Sequence, residues 1–316
     1  MSTRVTKRHL ITLSCPDFGH FFSYNSRLLE STSPRGASAL PAGGRGGLPA
    51  YLTWDRSATC AVLGGRAVLL LGDSLTVGFF DTLVSALQPL DAPFADRGSF
   101  PHTSDVCSGS GEKSSLVQLI AWGEGPEMRE RLREAWSKAL ESMDDDMEGL
   151  LRGQRAVFVI NRGAHYQPLE RHLDSVYQAI TFVRSMAPNA TIFWRTTPSG
   201  HASAFGAENM QNKLPLLAPP PLDSYAHGLP AQYHWGQILA QNEATVANLP
   251  LDVLVIDVEH ATVLRHDSHP VRTFSIDSEK RDGLHYCVPG PIDMWVELWA
   301  AVLRYAHLKG VCTNSA

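Results

Sequence analysis

Ala67-Val68-Leu69-Leu70-Leu71-Gly72-Asp73-Ser74-Leu75 is the stretch on which the reading of this chain turns. Five consecutive apolar residues are too few for a free-standing helix and read as a strand buried on both faces. Gly72 permits a sharp turn, after which Val77, Phe80, Val84 and Leu87 recur at helical spacing. A buried strand that turns straight into a helix is the opening unit of a parallel sheet covered by helices. Ser74 then stands just past the C-terminal end of that strand. Two roles fit it: Asp and Ser are ordinary caps at such a turn, and a serine beside a helix N-terminus also suits a nucleophile, because that end favours developing negative charge.

Outward from this stretch the pattern repeats. Apolar runs at 157–160, 191–194 and 253–258 predict three further strands, the first ending on Asn161 and the second on Arg195. Residues 168–186 carry Leu169, Leu173, Val176, Ile180 and Val183 on one helical face. Residues 126–151, with Met128, Leu132, Trp136, Leu140, Met143 and Met147 at three- and four-residue spacing, predict a surface helix, with Pro126 acceptable in its first turn. Trp295, Leu298, Trp299, Val302 and Leu303 give 292–306 an apolar helical face. Strands alternating with helices predict an α/β fold, a three-layer sandwich whose central, mostly parallel sheet has helices on both faces. Residues 197–232, holding Pro215, Pro219, Pro220 and Pro221, read as an irregular loop, and the Ser/Pro/Gly/Ala-rich stretch 31–50 as a flexible connection. The chain divides into an N-terminal extension, 1–60, and a catalytic domain, 61–316.

Composition excludes several classes. With 44% hydrophobic and 19% charged residues among 316, the chain is too apolar for disorder and long enough for one full core. Its net charge of −5, with no basic stretch interleaved with aromatics, argues against a nucleic-acid partner. No window approaches the roughly 20 apolar residues of a transmembrane helix. The short apolar run 10–13 after Arg4, Lys7 and Arg8 is a poor core for a signal peptide. Cys15, Cys60, Cys107, Cys287 and Cys312 match no zinc spacing, and nothing implies a metal or cofactor.

Asp282-Gly283-Leu284-His285 shifts the balance at Ser74. A carboxylate three residues before a histidine can reach its Nδ1 and fix the tautomer whose Nε2 faces a serine. In isolation these would be a turn aspartate and a loop histidine; together with Ser74 they form a candidate Ser–His–Asp triad. Asn161 would aim its amide at an oxyanion beside the Ser74 N–H, although a strand-end asparagine also forms turns. Arg195 would hold a carboxylate, an acyl oxygen or the loop itself. Ligands of open α/β sheets bind at the carboxyl ends of the strands, where these residues fall. His266-Asp267-Ser268-His269 lacks partners at metal-ligand spacing and reads as a polar loop.

In order along the chain these blocks resemble the trichome-birefringence-like polysaccharide O-acetyltransferases, PC-esterase members of the SGNH (GDSL) hydrolase superfamily. Gly72-Asp73-Ser74-Leu75 resembles the family's G-D-S block, and Ile160-Asn161-Arg162-Gly163-Ala164-His165-Tyr166 its strand-ending N-x-G-H-W segment with one insertion. Phe193-Trp194-Arg195-Thr196 resembles F-R-T, and Arg265-His266-Asp267-Ser268-His269-Pro270 resembles K-D-A-H-P. The most specific match, Asp282-Gly283-Leu284-His285-Tyr286-Cys287-Val288-Pro289-Gly290-Pro291-Ile292-Asp293-Met294-Trp295, is similar to D-C-x-H-W-C-L-P-G-x-x-D-x-W-N. Gly283 replaces a cysteine of that pattern and Val296 an asparagine, and the family's cysteine-rich N-terminal portion and membrane anchor are not recognisable.

The resemblance implies an SGNH-hydrolase-like fold and a triad of Ser74, His285 and Asp282, with Asn161 in an oxyanion hole and Arg195 close by. It further implies acyl, chiefly acetyl, transfer from an acetyl-ester donor to a carbohydrate acceptor. A Golgi or secretory lumen is suggested by the resemblance alone. Two other readings stand beside it: a carbohydrate or small-ester esterase, and a non-catalytic glycan-binding protein on the same fold.

Overall fold

The run that starts at Ala67 forms a strand buried along its whole length, as its unbroken apolarity predicts, and it takes in Gly72 as well. The structure is a computed structural model. It describes residues 54–88, 102–107, 114–120, 156–162, 169–201, 218–269 and 283–310, with single positions at 130, 133, 134, 136, 137 and 216. The stretch 31–50 lies outside the described residues.

The elements in chain order are α1 (Arg56–Leu63), β1 (Ala67–Gly72), α2 (Ser74–Leu87), β2 (His102–Val106), β3 (Ser114–Ile120) and β4 (Val157–Ile160). There follow α3 (Leu169–Met186), β5 (Thr191–Arg195), α4 (Gly228–Gln232), α5 (Ile238–Asn248), β6 (Val253–Ile256), α6 (Glu259–Thr262) and α7 (Pro291–Leu308). All four predicted strands are present, the last ending at Ile256 rather than Val258. β2 and β3 were not predicted. β2 is a polar antiparallel edge strand, His-Thr-Ser-Asp-Val, that buries only Ser104 and Val106, so its alternation is too weak to stand out.

The sheet runs β2-β3-β1-β4-β5-β6, parallel except for β2. The chain leaves β1 toward β3 on one side and later returns to β4 on the other. β1 and β4 therefore flank the point where the winding reverses, and a crevice opens there beyond the carboxyl ends of the strands.

Alternation along each strand sorts the core into two layers. Val68, Leu70, Val157, Val159, Phe193 and Ile256 face α1, α2 and α7, where Phe79, Leu83, Trp295, Trp299 and Leu303 are buried. Leu69, Leu71, Phe158, Ile160, Ile192 and Trp194 face the opposite way, onto Val176, Ala179, Ile180 and Val183 of α3. Of the helix expected over 126–151, the described positions are helical, and Trp136 is buried, stacked on Phe158 at 5.8 Å between ring centroids. Helices cover both faces, the three-layer α/β arrangement expected from the sequence. Cys60 on α1 forms a disulfide with Cys107 at the end of β2. Among the described residues no helix is long and apolar enough to cross a membrane.

Candidate active site

The turn between β1 and α2 is built for close approach. Asp73 caps α2, its carboxylate accepting from Leu75 N–H at 3.0 Å while its carbonyl accepts from Thr76 N–H at 2.9 Å. A Cβ on Gly72 would run into Thr76 Oγ1 and approach the Asn161 carbonyl, so only glycine allows β1, α2 and the end of β4 to meet here. Ser74, the first residue of α2, is left half-buried at the rim of the crevice.

His285 lies on an irregular segment 211 residues further along, and its Nε2 is 2.8 Å from Ser74 Oγ. Hydrogen-bond reach in this geometry lets the serine hydroxyl donate to a neutral imidazole, the arrangement of a nucleophile and its general base. Three backbone contacts pin the segment: His201 N–H donates to Gly283 O at 2.7 Å, Cys287 N–H to Ser268 O at 2.8 Å, and His269 Nδ1 lies 2.6 Å from His285 O. Tyr286 adds a hydroxyl bond to Ser199 O at 2.7 Å. Asp282 lies outside the described residues. Leu75 and Leu284, the neighbours of the serine and the histidine, join Tyr225, Trp235 and Ile238 in a small apolar cluster, which sets a dry wall beside the pair.

Asn161 and Arg195 arrive at the same end of the sheet. Both amide hydrogens of Asn161 are engaged, with Arg195 O and Thr197 Oγ1, each at 3.0 Å, so the side chain ties the ends of β4 and β5 together. Its Oδ1 is buried with no hydrogen-bond partner among the described residues. Arg195 is 1% exposed, packed behind the nucleophile turn with its guanidinium 4.9 Å from the Trp295 ring and 5.4 Å from Phe79, and 3.4 Å from Thr76 Oγ1. Burial lowers its pKa to about 10, with Asp73 pulling the other way, so it stays charged at neutral pH. Its field bears on the Ser74 turn from beneath.

Behind His285 the structure places a polar floor that sequence reasoning missed. Ser268 and His269 are buried, so the segment expected to be a polar loop is a 3₁₀ turn packed inside the protein. Arg265 holds it in shape through two bonds to Asp267 and one to Ser268. Glu259 is buried too, accepting from Ser199 N–H at 2.5 Å and Ser199 Oγ at 2.6 Å. The sequence signal for this floor was the resemblance of Arg265-His266-Asp267-Ser268-His269-Pro270 to the K-D-A-H-P block.

Burial raises Glu259 to about 7 from 4.5, against the opposing pull of the two Ser199 bonds. A carboxyl whose native pKa exceeds its unfolded value binds its proton more tightly when folded. That stabilisation is complete below about pH 4.5 and is lost as pH rises through about 7. The shift corresponds to at most roughly 3 kcal/mol. Glu259→Gln, whose amide can serve both Ser199 groups, is expected to flatten this part of the stability profile. Urea midpoints of both chains between pH 5 and pH 8 check it; identical pH slopes would refute the assignment.

Residues 151–302 match the PC-Esterase family, the GDSL/SGNH-like acyl-esterase family found in Pmr5 and Cas1p. Protein trichome birefringence-like 18 of Arabidopsis thaliana is 28% identical over 143 residues, 40% of this chain and 25% of that protein. Xyloglucan O-acetyltransferase 1 of the same plant is 37% identical over 70 residues, 20% of this chain and 17% of that protein. The matches thus span a quarter or less of either relative's length. A GDSL-like lipase chain from Parabacteroides merdae superposes over 76% of this chain and 96% of its own at a TM-score of 0.38 and 15% identity, too loose a likeness to argue from.

Proposed function

We propose that this chain, whose residues 151–302 match the PC-esterase family of GDSL/SGNH-like acyl esterases, transfers an acyl group, chiefly acetyl, to or from a carbohydrate hydroxyl through an acyl-serine intermediate. The observation that carries this reading is the 2.8 Å contact between Ser74 Oγ and His285 Nε2 at the point where the winding of the sheet reverses. The xyloglucan O-acetyltransferase among the relatives supports a polysaccharide acceptor.

In the first step His285 takes the Ser74 proton as Oγ attacks the ester carbonyl. The tetrahedral intermediate then collapses, and His285 returns the proton to the leaving alkoxide, releasing an alcohol and leaving acyl-Ser74. In the second step His285 deprotonates a sugar hydroxyl, which attacks the acyl-serine and restores the free hydroxyl; if water attacks instead, the products are a carboxylic acid and free enzyme. The Ser74 N–H at the start of α2 is the first oxyanion donor. Asn161 becomes a second by releasing one amide hydrogen from Thr197, whose own hydroxyl keeps its 2.7 Å bond to Arg162 O. Asp282 completes the triad by orienting His285. The apolar wall of Leu75, Leu284 and Trp235 limits water near the acyl-serine and so favours transfer over hydrolysis.

Two measurements test this. Incubation with p-nitrophenyl acetate and oligosaccharide acceptors, followed by intact-protein and glycan mass spectrometry, is expected to show an acetyl adduct and acetylated glycan. Release of acetate without glycan gain would select the esterase reading, and neither adduct nor turnover would select the glycan-binding one. The rate should also fall on the acid side as His285 takes a proton, because an imidazolium cannot accept one from serine. A pH-rate profile flat down to pH 5 would exclude His285 as the base.

A further inference from the structure

The buried histidines behind His285 pose a proton-counting problem. His201 Nε2 lies 2.8 Å from Val263 O, His201 Nδ1 lies 2.7 Å from His269 Nε2, and His269 Nδ1 lies 2.6 Å from His285 O. Both ends of this chain are carbonyl oxygens, which only accept. Three bonds therefore need three ring hydrogens, and two neutral imidazoles carry two. Any neutral pair leaves two lone pairs facing each other across one of these short contacts.

We propose that His269 is an imidazolium that acts as a positioning residue for His285: its Nδ1–H holds the His285 carbonyl, its Nε2–H is accepted by neutral His201, and its charge opposes protonation of the catalytic base. The division of roles within the pair follows from the surroundings. Desolvation pushes His201 down to about 4, outweighing the upward pull of the Val263 bond and of Asp267, while His266 pushes further down. His201 is thus the neutral member, protonated on Nε2. His269 has the Tyr286 ring at 4.4 Å between centroids, a face able to support a cation, and both of its hydrogen bonds become charge-assisted. Among the described residues, the charged groups around the pair include Asp267, which is tied to Arg265 at 2.8 Å, with His266 beside it and the Glu259 carboxyl on the neighbouring Ser199. A fixed positive charge bonded to the backbone of His285 raises the cost of a second one on its ring, so the base stays neutral further into acid.

The effect on the base rests on the proposed serine chemistry, whereas the charge state of His269 does not, and the experiment separates the two. Long-range ¹H–¹⁵N spectra of the labelled wild-type chain at neutral pH should show both ring nitrogens of His269 protonated and only Nε2 of His201. The His269 signals are assigned by their contacts to the Tyr286 ring and by their loss in His269→Asn. A single protonated nitrogen on His269 overturns the proposal, whether or not the chain has acyl-transfer activity. His269→Asn keeps a donor for the His285 carbonyl without the charge, and should move the acid limb of kcat/KM up by about one pH unit. A limb that stays in place while kcat falls would overturn the electrostatic role and reduce His269 to a strut.

Discussion

Replacement of Ser74 by alanine is expected to abolish the acetyl adduct and to lower kcat by at least about 10³–10⁴-fold, with the fold unchanged. The side chain is half-buried at the start of α2, and the cap of that helix is made by Asp73, so removing a hydroxyl there leaves no cavity and no broken cap. His285→Ala should cost about as much, because without its proton acceptor the serine is an ordinary alcohol. The double variant should be no worse than either single one, since groups that act as a unit are lost as a unit. Steady-state rates and intact mass of the three variants check this. Multiplying losses in the double variant would mean that the two residues, though 2.8 Å apart, do not share a proton.

The largest effect on stability is expected at Trp295. This α7 side chain is fully buried, gives its indole N–H to Thr262 Oγ1 at 2.9 Å, meets Tyr286 edge-on at 5.7 Å and faces the Arg195 guanidinium. It touches both halves of the site, the brace behind Ser74 and the residue after His285. Trp295→Ala should cost about 3–5 kcal/mol, the range for deleting a buried aromatic, and should strand a buried guanidinium against a void. Trp295→Phe keeps the ring and loses one hydrogen bond, so a loss nearer 1–2 kcal/mol is expected. Urea unfolding followed at two wavelengths distinguishes them; equal losses would show that the indole N–H, not the packing, holds this region.

What could be read from the chain before the structure was whatever local pattern encodes. The strand at Ala67, the strand-end positions of Ser74, Asn161 and Arg195, and the helices carrying Val176 and Trp299 all follow from runs and spacings within a dozen residues. β2 escaped because an edge strand with one wet face needs little apolar sequence. α5 escaped because its amphipathicity is weak: it buries Gln241, Asn242 and Thr245 alongside Ile238. The pairing of His201 with His269 was illegible for a different cause. It joins residues 68 apart, and nothing near either one records the hydrogen bond between them. The bonds of Asn161 to Arg195 and Thr197 depend on how β4 and β5 sit side by side, which no local pattern records.

The disposition of α7 sets the order in which the molecule can be made. Ile292, Trp295, Trp299 and Leu303 complete the same core layer as α1 and α2, which the ribosome delivers more than 200 residues earlier. Until α7 emerges, Phe79 and Leu83 and the β1 face beneath them have no lid, and the sheet can assemble with one flank bare to solvent or to a chaperone. His285 precedes α7 by a few residues and reaches Ser74 only when that flank closes. The meeting of these two side chains thus waits for α7, and a nascent chain stalled before residue 291 would carry its serine unarmed.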